Sequence, residues 1–164
     1  MNFALPPECT GAGIAERLAA FALAAGFDPA QIANIYAFGY TPEVIDQLAE
    51  LVVSGPKRAT TSLLRWHGPG GEHMPIVGDR FIVVGSGCVP RAVVRITRVD
   101  VKPFRAIDAD DAWDEGEGDR SLAYWRSAHR DFFEAEGARA AFTFREDDEV
   151  VFCRFELLSP RRSS

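Results

Sequence analysis

Lys57 and Thr60 stand three residues apart in the run Gly55-Pro56-Lys57-Arg58-Ala59-Thr60. An amine beside a hydroxyl is a base beside a nucleophile, the pairing that acyl transfer requires. A lysine withdrawn from water loses part of its preference for the charged form, so Lys57 in a pocket could act as a base or hold an oxyanion. Gly55 permits positive φ and Pro56 locks its own, which fixes the backbone just before the pair. In a regular strand, residues three apart face opposite sides, so Lys57 and Thr60 meet only if the backbone bends between them. Thr61 and Ser62 supply the hydroxyl in other registers. The bland alternative is a surface lysine followed by a β-branched strand former.

An acidic partner has to come from elsewhere in the chain. Asp108 to Asp119 holds seven acidic residues, and most of them read as a solvated loop. Gly116 and Gly118 flank Glu117 and let the backbone present that carboxylate in an unusual pose. Glu115 is the neighbouring choice. An EF-hand loop does not fit, because Ala112 and Trp113 stand where an oxygen ligand and a glycine belong. His67, His73 and His129 have no ligand spacing and no cysteine nearby, so neither metal nor cofactor is expected. His129 falls on the polar side of its helix and reads as a surface residue. Trp66 with His67 could stack on a base or pack on the body of the domain. Arg120 could pair with a phosphate or with the acidic loop. Tyr124 and Trp125 are adjacent on a helix, so with Trp125 in the core Tyr124 points elsewhere, toward a pocket.

The elements that must position these residues follow from periodicity and punctuation. Ile14 to Ala25 reads as a helix ended by Gly26. Ile32 to Phe38 reads as extended. A second helix starts at the cap Thr41, with Pro42 at its first position, carries the stripe Val44, Ile45, Leu48, Leu51 and Val52, and stops at Gly55. Thr60 to Leu64, Phe81 to Val84, Arg91 to Val101 and Glu149 to Leu158 read as strands. Arg65 to Pro75 reads as a Gly- and Pro-rich loop. Pro103 to Gly118 reads as a loop with a helical turn at Phe104 to Ile107. A third helix runs from Ser121 to Glu136. On the long strand Arg91 and Arg95 share a face, a basic wall for RNA or simply a solvated surface. This order of elements is not a series of βαβ units, and predicts an α+β domain around a small, mostly antiparallel barrel.

At 164 residues, 47% hydrophobic and 26% charged, the chain has the composition of a single globular domain with a real core. The first residues lack the basic start and apolar run of a signal peptide, and no stretch is long enough to span a membrane. Three cysteines, far apart and odd in number, argue against a disulfide framework and for a reducing cytoplasm. A net charge of −6 excludes broad binding to duplex nucleic acid, while leaving room for a small basic pocket that takes one nucleotide or a short single strand.

The pattern G-x-K-x-x-T at Gly55 to Thr60 resembles the signature of the ASCH domain family, relatives of the RNA-binding PUA fold. Phe38-Gly39 before the helix, Val77-Gly78-Asp79, Glu115 to Leu122 with Tyr124-Trp125, and Cys153 to Glu156 resemble the longer bacterial ASCH proteins in the same order. The resemblance covers roughly residues 36–158, leaving 1–35 as a helical extension packed on the domain and 159–164 as a tail. It implies a PUA-like β-barrel flanked by helices. It also implies one of two chemistries: removal of the acyl group from N4-acylated cytidine or cytosine by a Lys, a Thr and a Glu, or cleavage of single-stranded RNA. A binding module without chemistry is the third reading. Carried over to this chain, the catalytic set is Lys57, Thr60 and Glu117, with Gly55, Arg58, Trp66, Arg120, Tyr124 and Glu115 about the substrate. The implied partner is a modified nucleoside or base, or single-stranded RNA. In the amidohydrolase reading, neutral Lys57 takes the proton of Thr60, or Thr60 only positions a water. The chain departs from the short amidohydrolases in its length and in the extra loop at Arg65 to Pro75.

Overall fold

The structure, a computed structural model, describes residues 9–160. The expected tail beyond Pro160 and the first eight residues of the expected extension lie outside that range. Five strands form one sheet in the order β1-β3-β4-β5-β2. They are β1 (Ile32–Tyr36), β2 (Ala59–Leu63), β3 (Arg80–Gly85), β4 (Val89–Pro103) and β5 (Glu149–Ser159). β1 runs parallel to β3, and every other pairing is antiparallel. The architecture is α+β, as expected, but the sheet is not closed into a barrel. β1 pairs with β3 and β2 with β5, and the two edge strands do not pair with each other.

Register shifts in the long strand β4 at Val93/Val94 and Ile96/Arg98 bend and twist the sheet, as extra residues in a ladder do. β3 is covered on both faces, which is why Phe81 to Val84 is an unbroken apolar run. Phe81 and Val83 with Val94, Ile96, Val151 and Cys153 pack on one face beneath α2 (Pro42–Ser54). Ile82, Val84 and Val93 pack on the other beneath α1 (Ile14–Ala24). Val150 and Phe152, alternating with their β5 neighbours, join Ala59 and Leu63 under α4 (Leu122–Ala140).

The helix signals act as their chemistry requires. The Thr41 side chain accepts from the Val44 amide at 3.3 Å, Pro42 opens α2, and Gly55 ends it at φ 123°. Part of the expected acidic loop is helical: α3 spans Ala109–Glu115. Asp108 accepts from the amides of Asp110 and Asp111, and Asp111 accepts from the Asp108 amide, a reciprocal cap that orders the turn.

The cysteines need a correction. Cys9 and Cys88, 79 residues apart, form a disulfide with Cα atoms 5.0 Å apart, and only Cys153 is free. Both residues belong to the core beneath α1, a proximity that sequence spacing does not reveal. With that bond, the inference of a reducing compartment loses its basis. No helix among the described residues is long and apolar enough to cross a membrane.

Candidate functional site

Lys57 is the largest polar side chain in the core, with 1% of its surface exposed. It leaves α2 through the Gly55-Pro56 turn, and its neighbour Arg58 enters β2 with its amide bonded to the Asp114 carbonyl at 2.7 Å. That bond docks the end of α3 onto the lysine segment. The approach is close enough to demand glycine. A Cβ on Gly116, which sits at φ 69°, would fall 2.2 Å from the Pro56 carbonyl oxygen. Gly118 lies beneath the Tyr124 ring, where a Cβ would come within 2.4 Å of it.

The docking delivers two carboxylates to one ammonium. Lys57 Nζ donates to Glu115 Oε2 at 2.9 Å and to Glu117 Oε1 at 2.6 Å. Glu115, itself 1% exposed, also accepts from Thr61 Oγ1 at 2.5 Å and from Trp125 Nε1 at 3.1 Å. His129 Nε2 lies 3.5 Å from Glu115 Oε1, with the ring stacked on Trp125 and its Nδ1 at the Trp125 carbonyl. The expected surface histidine is therefore mostly buried beside the carboxylate, because α4 turns this side of itself toward α3.

Charge in this cluster is settled by pairing rather than by burial. Burial alone would pull the Lys57 pKa down, but Glu115 and Glu117 more than offset it and the net shift is upward. Burial alone would raise Glu115, but the Lys57 ammonium, His129 and the hydrogen bonds from Thr61 and Lys57 bring it down overall. Lys57 is an ammonium at neutral pH, which corrects the expectation of a neutral lysine base.

The lysine and its partners line a cavity of about 1000 Å³. Residues of both edge strands contribute to its wall, so it occupies the gap where closure into a barrel would have paired β1 with β2. Thr60, Thr61 and Ser62 of β2 line it, as do Trp66 and Tyr124. Thr60 and Ser62 share a face of β2, and among the described residues Thr60 makes no hydrogen bond to Lys57 or to either glutamate. Phe38 lies under the Lys57 ammonium at 5.0 Å. At the far end Tyr40 stacks on Phe132 at 4.3 Å, and Arg139 sits 3.7 Å over Tyr40.

Three of the sequence candidates lie away from this wall. Gly55 ends α2, and Arg58 donates to the carbonyls of Val52 and Lys57, closing the end of that helix. Arg120 folds over the Trp113 ring and donates from Nε and Nη2 to the Trp113 carbonyl at 3.0 and 2.8 Å, at the end of α3. Trp66 is in the wall, its Nε1 donating to Glu136 at 3.1 Å.

The ASCH domain family model matches residues 34–159, well over half of the chain. The chain belongs to the ASCH domain family. Among solved structures it is similar to an ASCH domain from Lactobacillus crispatus JV V101, with 30% identity and a TM-score of 0.77 over 88% of this chain and 94% of that one. It is also similar to protein EF3133 of Enterococcus faecalis V583, with 28% identity and a TM-score of 0.72 over 88% and 93% of the two chains. No curated protein matches it. The family match starts within β1, so α1 lies before it, packed on the sheet of the ASCH domain.

Proposed function

We propose that this ASCH protein removes the acyl group from N4-acylated cytidine or cytosine by amide hydrolysis. The observation that carries the reading is a buried ammonium held by two carboxylates in the wall of a cavity lined by aromatic rings. A pocket of this volume accommodates a nucleoside. Trp66, Tyr124 and Phe132 offer π-faces for a pyrimidine, each base–ring stack being worth about 1–3 kcal/mol.

In this scheme the Lys57 ammonium stabilises the oxyanion that forms as the amide carbonyl is attacked. Glu117, the more exposed of the two carboxylates, moves the protons. It takes one from the attacking oxygen and passes one to the exocyclic amine as the carbon–nitrogen bond breaks. Thr60 holds the water whose oxygen ends in the released carboxylic acid. Glu115 fixes the lysine and is itself fixed by Thr61 and Trp125.

Charge separates this reading from RNA cleavage. The wall carries Glu72, Glu115, Glu117 and Glu136 against Lys57 and Arg139, a poor lining for a polyanion and an acceptable one for a neutral nucleoside. The test is a comparison of two substrates in EDTA: free N4-acetylcytidine, followed by absorbance, and an end-labelled single-stranded RNA. Conversion of the nucleoside to cytidine with the RNA intact supports the proposal. Salt-sensitive cleavage of the RNA without nucleoside turnover overturns it in favour of a ribonuclease.

A further inference from the structure

The loop after β2 sets a histidine against Ser62, a residue of the cavity wall. Ser62 Oγ lies 2.8 Å from His67 Nε2, and His67 Nδ1 lies 3.0 Å from the backbone carbonyl of His73. A carbonyl only accepts, so Nδ1 carries the hydrogen and donates it to His73. Nε2 of a neutral ring is then a free lone pair, and the Ser62 hydroxyl donates to it. Burial holds the His67 pKa below the ordinary histidine value, outweighing the opposite pull of the His73 carbonyl, so the ring is neutral at pH 7. This is the relation of a nucleophile to a general base whose far nitrogen is fixed by a third group.

The loop is built to hold that ring. The Glu72 amide donates to the Trp66 carbonyl at 2.7 Å, and the Gly71 amide donates to the Gly68 carbonyl at 3.0 Å. Trp66 is anchored by Glu136 and lies edge-on to Phe142. His73 is tied to Asp79 at 2.7 Å, which steadies the carbonyl that orients His67. Ser62 reaches the cavity from the same strand face as Thr60.

We propose that Ser62 is the nucleophile of this cavity and His67 its base, so that the acyl group passes through an ester on Ser62 Oγ, in place of the direct attack of a Thr60-held water with Glu117 as proton carrier; Lys57 keeps its place at the oxyanion. The identity of the acyl donor rests on the amide-hydrolysis reading above. The Ser62 proton moves to His67 Nε2 as the Oγ–carbon bond forms. The tetrahedral intermediate collapses with cleavage of the carbon–nitrogen bond, and the departing amine takes the proton from His67. A water then gives its proton to His67 and attacks the ester carbonyl. The carbon–Oγ bond breaks, the proton returns to Oγ, and a carboxylic acid is released.

The test treats the wild-type protein with diisopropyl fluorophosphate, in which an activated serine displaces fluoride at phosphorus, and locates the adduct by peptide mass spectrometry. The same protein is then mixed with N4-acetylcytidine and quenched in acid to look for acetyl on the Ser62 peptide. The proposal expects the phosphoryl adduct on Ser62, its loss in His67→Gln, and a fall in nucleoside turnover of at least about 100-fold in both His67→Gln and Ser62→Ala. A serine that merely ties its loop to the strand would not react, so an unlabelled Ser62 in wild-type protein overturns the proposal without recourse to any variant. Lys57-dependent turnover that persists in folded Ser62→Ala overturns the ester and leaves the amidohydrolase reading standing. Labelling of Ser62 without turnover of any N4-acylcytidine supports the nucleophile and overturns the substrate.

Discussion

At the scale of single residues, the site depends on an ammonium that has no water to fall back on. Replacing Lys57 by Met leaves two carboxylates without their counter-charge, one of them fully buried, and breaking such a pair costs about 3–5 kcal/mol. Lys57→Met should therefore unfold at a clearly lower denaturant concentration as well as lose activity. Glu117→Gln removes only the more exposed partner. On the direct-water route it should lower kcat about 10²–10⁴-fold, the range for a proton-transfer group, with a much smaller loss of stability by the same measurement. The pKa directions set the pH window. Lys57 is raised above its ordinary 10.5, so its contribution is fully present below that value and lost only as pH climbs through the higher folded value. Glu115 is lowered below its ordinary 4.5, so its contribution is present above that value and lost as pH falls through the lower folded value. Denaturant titrations should accordingly show a loss of stability below pH 4.5 that is smaller in Glu115→Gln. Constant stability on acidification in the wild type would contradict the buried pair. Cys153 does not compete as a nucleophile, since burial pushes its thiol pKa up to about 12.

At the scale of elements, the site is the meeting of the α2–β2 turn with the end of α3. Gly116 is the point of contact, so Gly116→Ala should force the two segments apart. The expected result is a loss of more than about 1 kcal/mol, since the new methyl meets backbone and the residue keeps positive φ. Thermal melts check the stability, and turnover should fall with it because Glu115 and Glu117 move with the helix end. Much of this geometry was legible in the sequence. Thr41-Pro42 and Gly55 bounded α2, the strand runs fell where expected, and Gly-Glu-Gly marked Glu117. The α3 helix was not read, although Asp108 and Asp111 stand at the cap and third positions of a helix start. A dense acidic run looks solvated when its counter-charge comes from a distant segment, and Lys57 and Arg154 supply it here. His129 was missed for the same reason: helical periodicity shows a polar face but not that another helix covers it. The Ser62–His67 pair had no sequence signal beyond proximity, because it depends on a loop that folds back on itself.

At the scale of the whole molecule, the sheet leaves its edge strands apart and the cavity takes the place of their pairing. The element order predicted a barrel, but order does not say whether edges close, and here the residues between them line a pocket instead. The disulfide ties the segment before α1 to the turn after β3, closing a loop of 79 residues. In the chain-entropy account such a bridge is worth about 4 kcal/mol, so Cys9→Ala should melt well below the wild type, and so should the wild type in reductant. Neither cysteine and no residue of α1 lines the cavity, so turnover at a temperature where both are folded should be unchanged. The central claim, that the Lys57 cavity hydrolyses an N4-acyl amide, is tested most directly by kcat/KM for N4-acetylcytidine in EDTA, measured on the wild type and on Lys57→Arg. The wild type should turn over and the variant should lose at least about 100-fold, because arginine keeps the positive charge but not its position. Equal rates in the two proteins, or no turnover by a folded wild type across a series of N4-acyl chains, would contradict it.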